Sequence, residues 1–141
     1  MEKENIDAGY FKKKIIDLCV RSMTVGMPRK MRDRHVLLKG IALSFDKDKQ
    51  YSEKEINDTI RSWLNNIGEK IQIDHVSIRR ELIDGGYLNR TPDGSTYQLG
   101  AEPVSEVSFD NSVNDLDVSE IVSQGKEEIE RKKREFMQKK G

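Results

Sequence analysis

The stretch Ser77–Leu99, "SIRRELIDGGYLNRTPDGSTYQL", restricts the fold more than any other part of the chain. Ile78 and Leu82 stand four residues apart, the spacing of one apolar helix face, and Gly85 with Gly86 stops that helix. "YLNR" and "STYQL" then read as two short strands joined by "TPDG", a turn in which the glycine supplies a positive φ. A helix running straight into a two-stranded hairpin is the unit on which the rest must pack.

Three more helices precede it. From Ala8 to Met23, Phe11, Ile15, Leu18 and Cys19 recur at three- and four-residue intervals, with Lys12, Lys13 and Lys14 in the intervening turn. "TVGMP" breaks that helix, and a second is expected from Pro28 to Phe45, with Val36, Leu37, Ile41 and Leu43 to Phe45 inward. After a polar turn and a short extended piece at Gln50 and Tyr51, Ser52 and Glu55 form a capping box. The third helix therefore runs from Glu53 to about Asn66 and ends at Gly68. Asp74 is the expected N-cap of the fourth, which ends at Asp84 and buries Val76, Ile78 and Leu82.

Composition bounds what these elements can do. In 141 residues the hydrophobic share is 35%, low for a fully globular chain, so one small core with polar ends is expected. No apolar run is long enough to span a bilayer, and "MEKENIDAGY" lacks the layout of a signal peptide, so the expected location is cytoplasmic, away from membranes. One cysteine, Cys19, excludes an internal disulfide, and with His35 and His75 it makes no usual metal-ligand spacing. No nucleophile–base pair, glycine-rich phosphate loop or paired-carboxylate arrangement emerges, so neither an enzyme nor a cofactor is expected.

Charge is balanced overall, 25 basic residues against 25 acidic, but unevenly placed. Residues 26–99 hold thirteen Lys and Arg against eleven Asp and Glu, whereas residues 100–123 hold six acids and no base. The acidic stretch, broken by Pro103 and without a sustained apolar period, reads as a mobile tether. A last helix, from about Ser119 or Gln124 to Lys139, has only the thin stripe Val122, Ile129 and Phe136, and needs a partner surface. The expected division is thus an N-terminal accessory helix (1–25), a helix-rich domain (26–100), an acidic linker (101–123) and a basic C-terminal helix (124–141).

The order helix, extended piece, helix, helix, hairpin is that of a winged helix, so the expected class is mainly α with a small β-hairpin. In that architecture the helix before the hairpin is the one that can enter a DNA major groove. The segments "MPRKMRDRHVLLKGIA", "YSEKEINDTIRSW", "VSIRRELIDGGYLNR" and "GSTYQL" resemble a bacterial winged-helix-like domain family of uncharacterised function, often attached to helix-turn-helix transcription regulators of the arsenic-repressor type. The resemblance spans about Met27 to Leu99 and implies a regulatory setting and a nucleic-acid-binding-like fold, with no established chemistry.

The residues expected to meet nucleic acid fall in three groups. His75, Ser77, Arg79 and Arg80 form the polar face of the fourth helix, with Arg80 also able to pair with Asp84. Arg29, Lys30, Arg32 and Arg34 make a phosphate clamp, and Arg90, Thr91 and Ser95 suit backbone contacts from the wing. For each group a solvated surface is the competing reading. The expected partner is DNA. The alternative is a protein-interaction module that docks a partner, or folds back on its own basic face, through residues 101–123. The terminal helices are expected to pack together or to make a homodimer.

Overall fold

The structure is a computed structural model and describes residues 4–21, 25–100 and 107–140. Its elements are β1 (Glu4–Ile6), α1 (Ala8–Cys19), α2 (Met31–Ala42), α3 (Glu53–Asn66), α4 (His75–Asp84), β2 (Leu88–Arg90), β3 (Tyr97–Leu99), β4 (Val107–Phe109), a 3-10 turn (Asn111–Asp115) and α5 (Val118–Lys140). The class is mixed α and β, with five helices and two pairs of very short strands among the described residues. Among the described residues no helix is long and apolar enough to cross a membrane.

The helix starts follow from local chemistry. Asp7 caps α1 by accepting from the Tyr10 N–H at 2.7 Å. The capping box of α3 closes in both directions, Glu55 N–H to Ser52 Oγ at 3.1 Å and Ser52 N–H to Glu55 Oε1 at 3.0 Å. These bonds to Ser52, the backbone one foremost, hold the Glu55 carboxyl below its usual pKa. Helix α2 is shorter than Pro28–Phe45 at both ends. Lys30 is extended (φ −71°, ψ 132°), so the helix begins only at Met31. At the other end the Ser44 and Phe45 N–H groups bond three residues back, to Ile41 and Ala42, a tighter turn than the α-helix. Phe45 is still buried, edge-on to Tyr51 with ring centroids 5.2 Å apart.

Helix α3 stops where Gly68 meets Trp63: a Cβ at position 68 would lie 2.4 Å from Trp63 Cζ3, so only glycine lets the chain pass. Helix α4 stops at Gly86, whose φ of +81° leaves the helical region, while the Tyr87 N–H returns to Leu82 O at 2.9 Å. The hairpin follows, β2 antiparallel to β3 in the register Leu88↔Leu99, Asn89↔Gln98, Arg90↔Tyr97. The extended piece before α3 joins it: Tyr51 and Tyr97 exchange both backbone hydrogen bonds, at 2.7 and 2.8 Å. Tyr51 and Tyr97 are both buried, which fixes the hairpin to the helices beneath it.

The C-terminal part departs most from expectation. Residues 107–122 fold against the N-terminal segment instead of trailing as a linker. Strand β4 pairs in parallel with β1 (Glu4↔Val107, Asn5↔Ser108, Ile6↔Phe109), and α5 packs along α1. Asn5 donates to Asp110 at 2.7 Å and accepts from the Ser108 hydroxyl at 3.0 Å. The physical reason is burial: Val107, Val113, Val118, Ile121 and Val122 all enter the same core as Ile6, Phe11 and Ile15. Gly125 allows the two helices to approach, since a Cβ there would sit 3.0 Å from Ile16 Cγ1. Of the expected α5 stripe, Val122 is buried, Ile129 half-buried and Phe136 57% exposed. Helix α5 begins at Val118, within one residue of the expected Ser119 and before the alternative Gln124, and residues 126–139 are exposed apart from the half-buried Ile129. The other part of the expected linker, residues 101–106, lies outside the described residues, as does Met23.

Candidate nucleic-acid interface

Helix α4 leaves its N-cap held by a single acid. Asp74 accepts from the Ser77 N–H at 2.7 Å and from the Ser77 hydroxyl at 3.0 Å, and these bonds lower its pKa. The Ser77 hydroxyl is therefore committed to the cap. Val76, expected inward, is 41% exposed, because Ile78 and Leu82 set the buried face and a residue two positions from Ile78 points about 200° away. His75 meets a residue that the sequence did not flag: Arg61 of α3 donates from Nη2 to His75 Nε2 at 3.2 Å. No spacing rule within one helix could have found that pair, since fourteen residues and an interhelical turn separate the two.

The two arginines of α4 have different surroundings. Arg79 is largely covered, its side chain 20% exposed, and its Nη1 donates to Asn57 Oδ1 at 2.6 Å and faces Glu53 Oε1 at 3.3 Å. It ties α4 to α3. Arg80 is exposed, and no ion pair within 4.0 Å joins it to Asp84 among the described residues. Both arginines nevertheless line one cavity of about 200 Å³ with Arg90 of β2, together with Val76, Ile83, Asp84 and Tyr97. Three arginines from the helix and the hairpin thus line one concavity beside Asp84; the Arg79 guanidinium is engaged with Asn57 and Glu53, and that of Arg90 lies against Gly94 and Tyr97.

The hairpin turn is organised around an acid. Asp93 accepts from the Thr91 hydroxyl at 2.7 Å, the Ser95 hydroxyl at 2.8 Å and the Ser95 N–H at 3.0 Å. Those bonds, the Ser95 N–H foremost, pull its pKa down to about 2. Thr91 and Ser95 are therefore occupied inside the turn, with an anion at its tip. Gly94 adopts φ +76°, and the Arg90 guanidinium folds over it so closely that a Cβ would meet Nη2 at 2.5 Å. Arg90 also lies over the Tyr97 ring, 5.8 Å from its centroid.

The expected clamp divides. Arg29 and Lys30 are exposed, before the first turn of α2. Arg32 is engaged with the N-terminal layer: it pairs with Glu4 at 3.1 Å and stacks over Tyr10 at 4.5 Å. Next to it the Tyr10 hydroxyl donates to Asp33, which also faces Lys14 at 3.5 Å. Burial first, and then Asp33, push the Tyr10 pKa up to about 12. Arg34 is half-buried, with its Nε enclosed. The structure thus brings together Arg79, Arg80 and Arg90, leaves Arg29 and Lys30 exposed, and ties Arg32 to structural neighbours.

The acidic segment does not cover this face in its described part: the 3-10 turn and α5 lie against α1, and β4 against β1.

No curated protein matches this chain, and no solved structure does. A family model does, over residues 24–99, the part that holds α2, α3, α4 and the hairpin but neither terminal layer. The chain therefore belongs to the bacterial family described as "Uncharacterized protein conserved in bacteria (DUF2087)".

Proposed function

We propose that residues 26–100 form a winged helix that binds duplex DNA in a transcription-regulating role. Two features of the fold support the winged-helix reading. The order α2, Tyr51, α3, α4, β2, β3 matches it, and the Tyr51–Tyr97 bridge adds the third strand position of such a sheet. The observation that carries the binding reading is the convergence of Arg79, Arg80 and Arg90 on one cavity between α4 and the hairpin. A phosphate there would meet Arg80 and Arg90, releasing condensed counterions, with Asp84 as the one acid on the rim. In this reading α4 offers His75 and Arg80 to the major groove, Arg79 orients the helix from below, and Arg90, Arg29 and Lys30 take the backbone. A homodimer for two half-sites would use the outer half of α5, where Phe136 and Met137 are exposed.

One observation favours the second reading, a protein-interaction module that does not touch nucleic acid. Asp93 stands at the tip of the wing and already holds the Thr91 and Ser95 hydroxyls, an unfavourable surface for phosphate. In that reading the apolar residues of 107–122 are not the docking surface, because Val107, Val113 and Val118 are buried in this chain's own core.

An ionic-strength series with random-sequence duplex DNA separates the two. The DNA reading requires affinity that falls steeply with salt, and a slope smaller by about 0.9 for each phosphate that Arg80→Ala or Arg90→Ala leaves unneutralised. Weak, salt-independent retention that the double variant leaves unchanged would overturn it.

A further inference from the structure

The last turn of α2 borders a cavity of about 350 Å³. Its walls are apolar along Leu43, Phe45 and Leu99, and its polar side chains are few: Lys39, Lys47, Asn114 and Tyr87, whose hydroxyl is already bonded to His35 at 2.8 Å. Lys39 is half-buried, and burial lowers its pKa. Its ammonium lies 5.6 Å from the centre of the Phe109 ring. Among the described residues no carboxylate stands within 4.0 Å of it, although ion pairs of that length are plentiful elsewhere in the fold. Among the described residues this partly desolvated cation has an aromatic face beside it and no counter-charge. The volume is that of small-molecule sites, roughly 300–1,000 Å³, which are mostly apolar with a few converging polar groups.

We propose that this cavity binds a small amphipathic monocarboxylate, with Lys39 taking the carboxylate and Leu43, Phe45 and Leu99 enclosing the apolar body. One negative charge matches the one half-buried ammonium. A phosphate dianion would leave charge unbalanced against apolar walls, because Lys47 is exposed on the rim. The Asn114 side-chain amide can donate to the second carboxylate oxygen. A ligand seated here touches α2, the end of β3 and the 3-10 turn together, so it joins the family region to the C-terminal layer. The proposal does not depend on DNA binding, and neither does its test.

The test is a titration of the full chain, followed by amide chemical shifts, with three probes at constant ionic strength: sodium octanoate, 1-octanol and sodium phosphate. Octanoate is expected to bind saturably, shifting Leu43, Leu99, Gly100 and Asn114, and to bind at least about tenfold more tightly than 1-octanol. Lys39→Met should reduce octanoate to the level of octanol and leave octanol unchanged, while Lys39→Arg retains the preference. Lys39→Met removes a desolvated charge and should fold at least as stably as the parent. Asn114→Ala, at an exposed position, provides a second variant expected to weaken octanoate alone. Equal binding of octanoate and octanol, tighter binding of phosphate, shifts confined to other surfaces, or a Lys39→Met variant with undiminished octanoate affinity would each overturn the proposal.

Discussion

Replacing Phe11 with alanine should destabilise the whole chain, including the family region that Phe11 does not belong to. Phe11 is fully buried and meets Phe109 edge-on, with ring centroids 6.4 Å apart at 81°. It also approaches α2: a Cβ on Gly40 would lie 3.9 Å from Phe11 Cζ and 3.8 Å from Trp63 Cζ2, so little space separates the N-terminal helix from α3. Removing a buried phenyl ring costs about 3–5 kcal/mol, the transfer of the ring plus the cavity left behind. Phe109→Ala should cost less, about 1–2 kcal/mol, because Phe109 is only half-buried. The coupling between the two should be about 0.5–1.5 kcal/mol, as for other edge-to-face pairs. The chain has one tryptophan, Trp63, which sits in α3 and reports on the family region. Urea unfolding followed by Trp63 fluorescence and by far-UV circular dichroism should therefore give one coincident transition, shifted down equally in both signals by Phe11→Ala. If the Trp63 midpoint stays where it is while part of the helical signal melts earlier, the terminal layer is a separate unit and the argument for one core fails.

Three further outcomes follow from the packing and hydrogen bonds. Arg79→Met should cost about 0.5–1.5 kcal/mol, through removal of the bond to Asn57 and the ion pair with Glu53, whereas Arg80→Met should leave the urea midpoint nearly unchanged. Equal costs would mean that Arg79 does not tie α4 to α3. Gly94→Ala forces a Cβ into a left-handed residue and against the Arg90 guanidinium; a loss of about 1–2 kcal/mol is expected by the same measurement, and a neutral result would show that the turn relaxes freely. Asp93 should titrate near 2 by carboxyl NMR. Its folded pKa lies below the roughly 3.9 of a free aspartate, so its stabilisation of the turn is complete above that value and is lost as pH falls toward 2. The Thr91 and Ser95 resonances should move with it; a midpoint near the free value would refute the three-bond arrangement.

The parts of the fold legible in the sequence are those held by short-range chemistry. The Ser52–Glu55 box, the Asp74 cap, the Gly85–Gly86 stop and the Asp-Gly hairpin each place their own atoms within a few residues of one another, and each is readable from spacing. Strands β1 and β4 are not, because each is three residues long and its partner is about a hundred positions away. The acidity of residues 100–123 also conceals their core residues. Val107, Val113 and Val118 sit among Asp and Glu with no helical or strand period, since they belong to three different elements. Composition suggests a tether, whereas burial of those valines against Ile6 and Phe11 joins the segment to the core.

The same distinction separates the candidate site's residues. Arg79 and Arg80 are adjacent in sequence and equivalent by any rule of composition, yet one is a strut to α3 and the other faces solvent. Arg32 and Arg29 divide in the same way, one engaged with Glu4 and Tyr10 and the other exposed. What decides is the residue on the neighbouring element: an acid and an amide on α3 in one case, an acid on β1 in the other. An arginine already paired must give up that partner to meet phosphate, so its substitution changes stability and binding together, while a solvent-facing one changes binding alone. Arg80, Arg29 and Lys30 therefore give the cleanest measure of nucleic-acid binding, whereas Arg90 also packs against Gly94 and the Tyr97 ring. Arg79 and Arg32 show instead how firmly the surface that carries them is built.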